Sequence, residues 1–244
     1  MKSLYFDLIG GISGDMIVAS LIDVTGGFDY LKKELKRIDL DKYSLKLSKC
    51  QSGHISSHRF IVEDLTEEKR VFQLDAIKNK INNSYLDEGI KSNIVRVYET
   101  LHEAESIVHG AGHVHFEQIG EVDSLIDIAS ACILIEKLGV EDILYSRIPF
   151  GEKVAPATTL MLKNQNIYLS KHRFENITPT GIATVTTLGR QVDEKSEYNF
   201  SVEEVGYGVG SVEAKDLQNV LRAVVLKKSE KFGLQFQHCQ KTKL

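Results

Sequence analysis

Residues 4–20 read LYFDLIGGISGDMIVAS, and this stretch determines the class of fold. The segment from Leu4 to Ile9 is apolar except for Asp7, which is typical of a short buried strand. Two glycines follow it, and helical spacing of apolar side chains then begins at Met16. A strand, a glycine-rich turn and a helix in this order predict an α/β protein, with mixed strands and helices in one large or two small domains.

The rest of the chain continues the alternation of predicted strands and helices. Period-two alternation or short apolar runs predict strands at 44–49, 58–64, 143–148, 198–205 and 217–226. Helical spacing predicts helices at 71–83, 87–109 and 123–137, the last capped by Asp123 or Ser124, and proline starts two more at Pro156 and Pro179. The glycine-rich segment 206–210 is expected to be a loop between two strands.

The domain organisation expected from this pattern is simple. We expect residues 1–226 to hold the folded part, with a boundary near 140–150 if there are two domains. The basic segment 227–244 lacks a clear period and is expected to be a tail or the start of a linker.

Composition excludes several classes of protein. The chain has 244 residues and a net charge of −4, so non-specific binding of nucleic acid is not expected. Its cysteines are Cys50, Cys132 and Cys239, an odd and sparse set that argues against a disulfide framework and a thiolate zinc site. Cys132 lies on an apolar helix and is expected in the core. No apolar run approaches the roughly 20 residues that a membrane span needs, so we expect a cytoplasmic protein.

Histidine and carboxylate side chains cluster between residues 102 and 127. Glu105 and His109 are four apart on a predicted helix and therefore share one face. His115 and Glu117 follow two apart, and Asp123 begins the next predicted helix. Imidazole with carboxylate suits zinc, nickel, iron or manganese. The alternative interpretation is a solvated polar loop between two helices, and spacing does not choose between them.

Two further segments could approach a ligand closely. The glycine-rich turn from Asp7 to Asp15 lies between a strand and a helix, where backbone N–H groups can face an anion. Its two aspartates would repel a bare phosphate but could hold a metal ion that in turn holds one. The alternative is a tight turn with aspartate as a helix cap. The segment from Thr178 to Gly181 offers a similar backbone-rich approach and is more often structural.

Taken in order, short motifs along the chain resemble those of nickel insertion proteins of the LarC type. The motif residues are Asp7, Gly11-Ile12-Ser13-Gly14-Asp15-Met16, Glu103-Ala104-Glu105, Val108-His109-Gly110, Val114-His115-Phe116, Val122-Asp123-Ser124, Asp127, Ala155-Pro156-Ala157-Thr158, Thr178-Pro179-Thr180-Gly181, Gly206-Tyr207-Gly208, Leu217 and Asn219-Val220-Leu221-Arg222. The resemblance covers residues 1–226 and implies insertion of nickel into a pyridinium bis-thiocarboxylate mononucleotide. The product would be the nickel-pincer nucleotide cofactor, formed through a carbon–nickel bond by a lyase-class enzyme that depends on CTP with Mn²⁺ or Mg²⁺.

The resemblance also implies roles for particular residues. The nickel ligands would be Glu105, His109, His115, Glu117 and Asp123. Asp7, Ser13 and Asp15 would be catalytic, acting on the nucleotide or its metal ion. The cofactor-binding residues would be Gly11, Gly14, Thr180 and Gly181.

Departures from the family pattern leave alternatives open. Glu117 and Gln118 stand where the family has histidine and glutamate, which favours harder metals. The family's CTP-associated domain would follow the end of this chain, so a separate CTP-binding polypeptide is an expected partner, and a homo-oligomer is a second possibility. The alternatives in function are a non-catalytic metal-binding or scaffold paralogue and a metal-dependent hydrolase of a phosphorylated small molecule.

Overall fold

The computed structural model describes residues 1–52, 54–110, 119–192, 199–212 and 219–228. The helices in this part of the chain are α1 (Gly14–Thr25), α2 (Phe28–Leu35), α3 (Leu74–Asn82), α4 (Glu88–His109), α5 (Val122–Leu138), α6 (Pro156–Met161) and α7 (Pro179–Leu188). The strands are β1 (Lys2–Asp7), β2 (Tyr43–Ser52), β3 (Ile55–Asp64), β4 (Asp142–Tyr145), β5 (Ile148–Phe150), β6 (Ile167–Leu169), β7 (Arg190–Gln191), β8 (Phe200–Val209) and β9 (Val220–Lys228). The predicted α/β class is confirmed.

Strands from both ends of the chain meet in one mixed sheet of seven strands. Its order is β2-β3-β8-β9-β1-β4-β7, and β5 and β6 form a separate parallel pair. Strand β1 runs antiparallel to β9 and parallel to β4, so that Leu4 pairs with both Val225 and Ile143. In α/β sheets, ligands bind beyond the carboxyl ends of strands where the order changes direction. The turn that follows β1 is therefore in a favourable position for a site.

Helix α1 is the centre of the packing. It contacts β3, β8 and β9 on one side and α5 on the other. A Cβ atom on Gly208 would lie 2.1 Å from the carbonyl oxygen of Met16, and one on Gly206 would lie 2.5 Å from that of Ser20. These glycines belong to β8, so the prediction of a loop at 206–210 was wrong. A residue with a side chain would not fit at these two positions, because the backbone of α1 touches β8 there.

Helix α5 is buried on nearly all sides. Buried helices are apolar around their whole circumference, and the sequence from Val122 to Leu138 follows that pattern. Cys132 is 1% exposed, which confirms its predicted place in the core, and burial raises the pKa of its thiol to about 12. The N-cap position is held by Glu121 rather than by the predicted Asp123 or Ser124, and its side chain makes no capping hydrogen bond.

Two other predicted boundaries differ from the observed ones. The stretch 143–148 was predicted as one strand, but it contributes to β4 of the large sheet and to β5 of the small one. The predicted tail at 227–244 begins inside β9, and its residues from 229 onward lie outside the described part of the chain. None of the helices described above combines the length and the apolar character that crossing a membrane requires.

Candidate functional site

The turn between β1 and α1 forms the floor of the candidate site. Ser13 occupies the N-cap position in an extended conformation, and its hydroxyl donates a hydrogen bond to the Asp15 carboxylate. The same carboxylate accepts the backbone N–H of Met16 at 2.9 Å. An acidic side chain in the first turn is favourable because the helix N-terminus carries partial positive charge. These contacts hold the Ser13 and Asp15 side chains at one end of α1.

The segment before α7 forms one wall of the site. Ile12 donates its N–H to the carbonyl of Asn176 at 2.8 Å, and Thr178 returns a hydrogen bond to the Ile12 carbonyl at 3.0 Å. Gly11 has φ +142°, and a Cβ atom there would lie 1.8 Å from the Asn176 carbonyl oxygen. A Cβ atom on Gly181 would lie 2.7 Å from the Ile12 carbonyl oxygen. Both glycines therefore allow two stretches of backbone to lie side by side.

Asp127 of α5 forms the opposite wall and packs directly against Gly14. A Cβ atom on Gly14 would lie 2.6 Å from Oδ2 of Asp127, so any larger residue would displace the carboxyl group. The other oxygen, Oδ1, is buried and has no hydrogen-bond partner among the described residues. Buried carboxylate oxygens nearly always have a donor or a cation beside them. Asp127 is therefore an exception that needs a physical explanation.

Burial and like charge act on the two carboxyl groups of the site. Burial raises the pKa of Asp15, and the hydrogen bonds from Ser13 and from backbone N–H groups partly offset that effect. Burial also raises the pKa of Asp127 well above its ordinary value, with further contributions from the charges of Asp15 and Asp123. Two ionised carboxylates held this way cost free energy unless a proton or a cation compensates them.

Tyr98 of α4 is a second buried polar residue on which the charge of Asp127 acts. The residue is fully buried, and its hydroxyl has no hydrogen-bond partner among the described residues. Burial raises the pKa of this hydroxyl well above its ordinary value, and the charges of Asp127 and Asp123 add to the effect. A hydroxyl without a hydrogen-bond partner therefore lies within electrostatic range of a carboxyl oxygen without one.

The N-terminal ends of α1, α5 and α7 converge on a cleft of about 410 Å³. Its polar walls include Ser13, Asp15, Asp123, Asp127, Thr178 and Thr180. Among the described residues that line it, Arg59 is the one basic side chain. Helix N-termini and hydroxyls suit an anion, whereas the carboxylates suit a cation. The cleft is therefore equipped for a ligand that carries both, such as a phosphate with a divalent metal ion.

The structure brings some of the predicted site residues together. Ser13, Gly14, Asp15, Asp123 and Thr180 all line the cleft. Gly11 and Gly181 are not among the residues that line the cleft, and each packs against the chain's own backbone. Their predicted part in binding a cofactor stays a prediction.

Asp7 lies apart from the residues that line the cleft. It ends β1, pairs with Arg222 of β9, and forms an ion pair with that residue's guanidinium group. Arg222 in turn forms a hydrogen bond with Tyr207. The side chain of Asp7 thus joins two neighbouring strands, and its predicted catalytic role stays a prediction.

The predicted nickel ligands are partly described. Glu105 and His109 lie one turn apart at the end of α4, with 3.3 Å between the carboxylate oxygen and Nε2. His115 and Glu117 lie outside the described residues. Within the part of the chain that is described, no three side chains of histidine, cysteine, aspartate or glutamate converge to hold a metal ion. The nickel site as predicted stays a prediction.

Some residues in and near the cleft were given no role from the sequence. Asp127 belonged to the predicted cluster between residues 102 and 127, four residues after Asp123 on the same helix face, but it was not assigned as a ligand. Tyr98 gave no such signal, since it lies in an apolar stripe of α4 and looks like core. Arg59 and Glu175 lie far apart in sequence, and only the tertiary structure brings them to the same cleft.

Comparison with known proteins agrees with the family that the motifs resemble. A family model described as nickel insertion protein matches residues 4–243. The pyridinium-3,5-bisthiocarboxylic acid mononucleotide nickel insertion protein of Clostridium kluyveri is 34% identical over 265 aligned residues, covering 97% of this chain and 65% of that protein. The protein of the same name from Staphylococcus saprophyticus is 32% identical, covering 91% of this chain and 59% of that protein.

Two facts bound what these similarities mean. The chain spans about three fifths of the length of the curated relatives that it matches, with shares of 59%, 61% and 62% in three of them. No solved structure matches the chain. Because the family match extends over nearly all of the sequence and the relatives align along more than nine tenths of it, this chain belongs to the nickel insertion protein family.

Proposed function

We propose that this chain binds nickel and a pyridinium bis-thiocarboxylate mononucleotide and takes part in inserting the metal into that molecule. The observation that carries the proposal is the cleft at which three helix N-termini meet, because it unites motif segments that lie far apart in sequence. Nickel would be the cargo of the reaction, and the mononucleotide its acceptor.

The dimensions and the polarity of the cleft support a small phosphorylated ligand. Its volume of about 410 Å³ falls within the roughly 300–1,000 Å³ that is usual for small-molecule sites. The phosphate would face the N-terminal turns of α1 and α7, where Ser13, Thr178 and Thr180 add hydroxyl donors. The pyridinium ring carries positive charge, which the carboxylate of Asp123 would favour.

Nickel would reach the cleft from the end of α4. Glu105 and His109, whose side chains lie 3.3 Å apart, offer one oxygen and one nitrogen ligand one turn apart on this helix. His115 and Glu117 follow in the sequence and would complete a mixed nitrogen and oxygen set. Asp123 would link the nickel ligands to the cleft, because it lies at the start of α5 and lines the cleft.

Calorimetric titration with Ni²⁺ tests the metal site. The double variant His109→Ala with His115→Ala should bind nickel at least about tenfold more weakly than the wild type, as expected when ligands are lost. His54→Ala is the matched control, because this exposed histidine lies in the turn of the β2–β3 hairpin. Equal nickel affinity in the double variant and the control would reject the proposed ligands.

Titration with the mononucleotide tests the cleft. Thr180→Val keeps the shape of the side chain but removes one hydroxyl, so the affinity should fall by about tenfold, equivalent to one lost hydrogen bond. Product formation is then measured with nickel, in the presence and absence of CTP and Mn²⁺ or Mg²⁺. Binding without product would favour the metal-binding or scaffold alternative. Absence of mononucleotide binding at millimolar concentration would reject the proposal.

A further inference from the structure

The Asp127 carboxyl group is the least explained polar feature of the described structure. Asp15 lies in the first turn of α1 and has hydrogen-bond donors, so helix capping accounts for it. Asp127 lies in the second turn of α5, beyond the reach of the helix terminus, and its Oδ1 has neither a donor nor a cation among the described residues. Its Oδ2 presses against Gly14, next to Asp15 in the chain. Helix capping therefore does not explain Asp127.

A second observation points to an occupant beside this carboxyl group. The Tyr98 hydroxyl is fully buried, lacks a partner among the described residues, and is under the electrostatic influence of Asp127 and Asp123. Buried polar groups that lack a partner are usually satisfied by a bound polar species. Asp127 also lines the open cleft, so such a species can enter from solvent.

The chemistry of the surrounding groups selects the occupant. Carboxylate and hydroxyl oxygens from Asp15, Asp127 and Ser13 form a hard donor set without nitrogen or sulfur, which suits Mg²⁺ or Mn²⁺ better than nickel. Ions of this class keep several waters and bind through one or two carboxylates together with a substrate phosphate. Few protein ligands are then needed at such a site.

We infer that the carboxylates of Asp15 and Asp127 bind a hydrated divalent cation of the Mg²⁺ or Mn²⁺ class, and that this cation receives the phosphate of the mononucleotide. The binding of the phosphate, which is the second half of this inference, rests on the proposed function, whereas the binding of the cation, which is the first half, does not. The cation neutralises the two carboxylates and joins them to a phosphate that the helix N-termini also attract. The Tyr98 hydroxyl makes no hydrogen bond to Asp127 in this structure, so it donates to a water of the cation instead.

Binding of Mn²⁺ alone, measured by electron paramagnetic resonance and calorimetry on the full chain, tests the first half. Asp127→Asn and Asp15→Asn should each weaken Mn²⁺ binding by about tenfold or more. Asp75→Asn is the matched control, because Asp75 is an exposed acidic residue in the first turn of α3. This variant should bind Mn²⁺ with the affinity of the wild type. Circular dichroism establishes that each variant is folded.

Linkage between cation and nucleotide tests the second half. Nicotinic acid mononucleotide is a pyridinium mononucleotide without sulfur and serves as the probe. Mn²⁺ should tighten its binding to the wild type about tenfold and should have no effect in Asp127→Asn, because coupling between two ligands is reciprocal.

Each outcome separates this inference from the proposed function. Wild-type affinity for Mn²⁺ in Asp127→Asn, or no Mn²⁺ binding by the wild type at millimolar concentration, would overturn the cation site and leave nickel and mononucleotide binding intact. Failure of nickel binding in the wild type would instead reject the proposed function, while the Mn²⁺ result would still stand. Mn²⁺ binding at Asp127 without any effect on the nucleotide probe would overturn the phosphate half alone.

Discussion

At the scale of single residues, the glycines around the cleft are needed for different physical reasons. Gly14 makes room for a carboxyl group, whereas Gly11 makes room for backbone and also holds a φ of +142°. The sequence showed that residues 10–14 form a turn, because glycine is common where the chain changes direction. It could not show what each glycine faces, because Asn176 and Asp127 lie more than 100 residues away.

Gly11→Ala should destabilise the protein severely. The new Cβ atom would lie 1.8 Å from the Asn176 carbonyl oxygen, and the backbone conformation is one that alanine rarely adopts. We expect a loss of about 3 kcal/mol or more in the free energy of unfolding, measured by urea denaturation. Gly89→Ala is the control, since no atom lies within 4 Å of the added group and α4 continues through it. If both variants unfolded at the wild-type urea concentration, the packing described for Gly11 would be incorrect.

At the scale of elements, periodicity predicted the helices better than the strands. α1, α4 and α5 were found within a few residues because each presents a long run of helical spacing. The segment 206–210 was misassigned because glycine is typical of loops, and its packing under α1 leaves no local signal. The split between β4 and β5 was missed for a related reason, since an apolar run does not reveal which sheet its residues join.

The end of β3 offers a prediction about pH. Asp64 accepts hydrogen bonds from Arg70 at 2.9 and 3.1 Å and from the Thr66 hydroxyl at 2.7 Å. The Arg70 guanidinium, despite partial burial, holds the pKa of Asp64 far below its ordinary value. A lowered pKa contributes stability above the unfolded value of about 3.9, and the contribution is lost as the pH falls further. Asp64→Asn should therefore cost about 1.5–3 kcal/mol at pH 7.

The same comparison at low pH supplies the test. Unfolding of wild type and Asp64→Asn is measured from pH 7 down to about pH 2. The difference between them should shrink below about pH 4, because Asp64 gains its proton more easily in the unfolded wild type than in the folded one. Asp29→Asn is the control, because the Asp29 side chain is 93% exposed and its ion pair with Lys32 contributes little. A difference that stays constant over the whole range would show that charge is not the cause.

At the scale of the whole molecule, the cleft exists because strands from both ends of the chain meet. β1 lies between β9 and β4, and this arrangement aims the turn before α1 at the N-termini of α5 and α7. The sequence predicted the strands and helices that form the cleft, but not that the turn before α1 and the N-termini of α5 and α7 meet at one edge of the sheet. Pairing of Leu4 with Val225 is a long-range contact with no local pattern. The motifs therefore indicated the family, while the geometry that unites them came from tertiary structure.

The molecule holds Asp127 at a cost in stability, and Asp127→Asn should reveal that cost. Burial and the charges of Asp15 and Asp123 raise the pKa of this carboxyl group. A raised pKa means that the folded chain loses stability as the pH rises above the ordinary aspartate value, since the unfolded chain ionises more easily. Asparagine does not ionise and has nearly the same shape.

In buffer with a chelator, the variant should melt about 2–4 °C higher than the wild type at pH 7, which corresponds to about 1 kcal/mol, and the two should melt together near pH 4. Added Mn²⁺ should reverse the order by stabilising the wild type alone. A variant that melts lower than the wild type at pH 7 without metal would show instead that Asp127 stabilises the fold. The raised pKa would then not reflect a loss of stability that is tolerated for function.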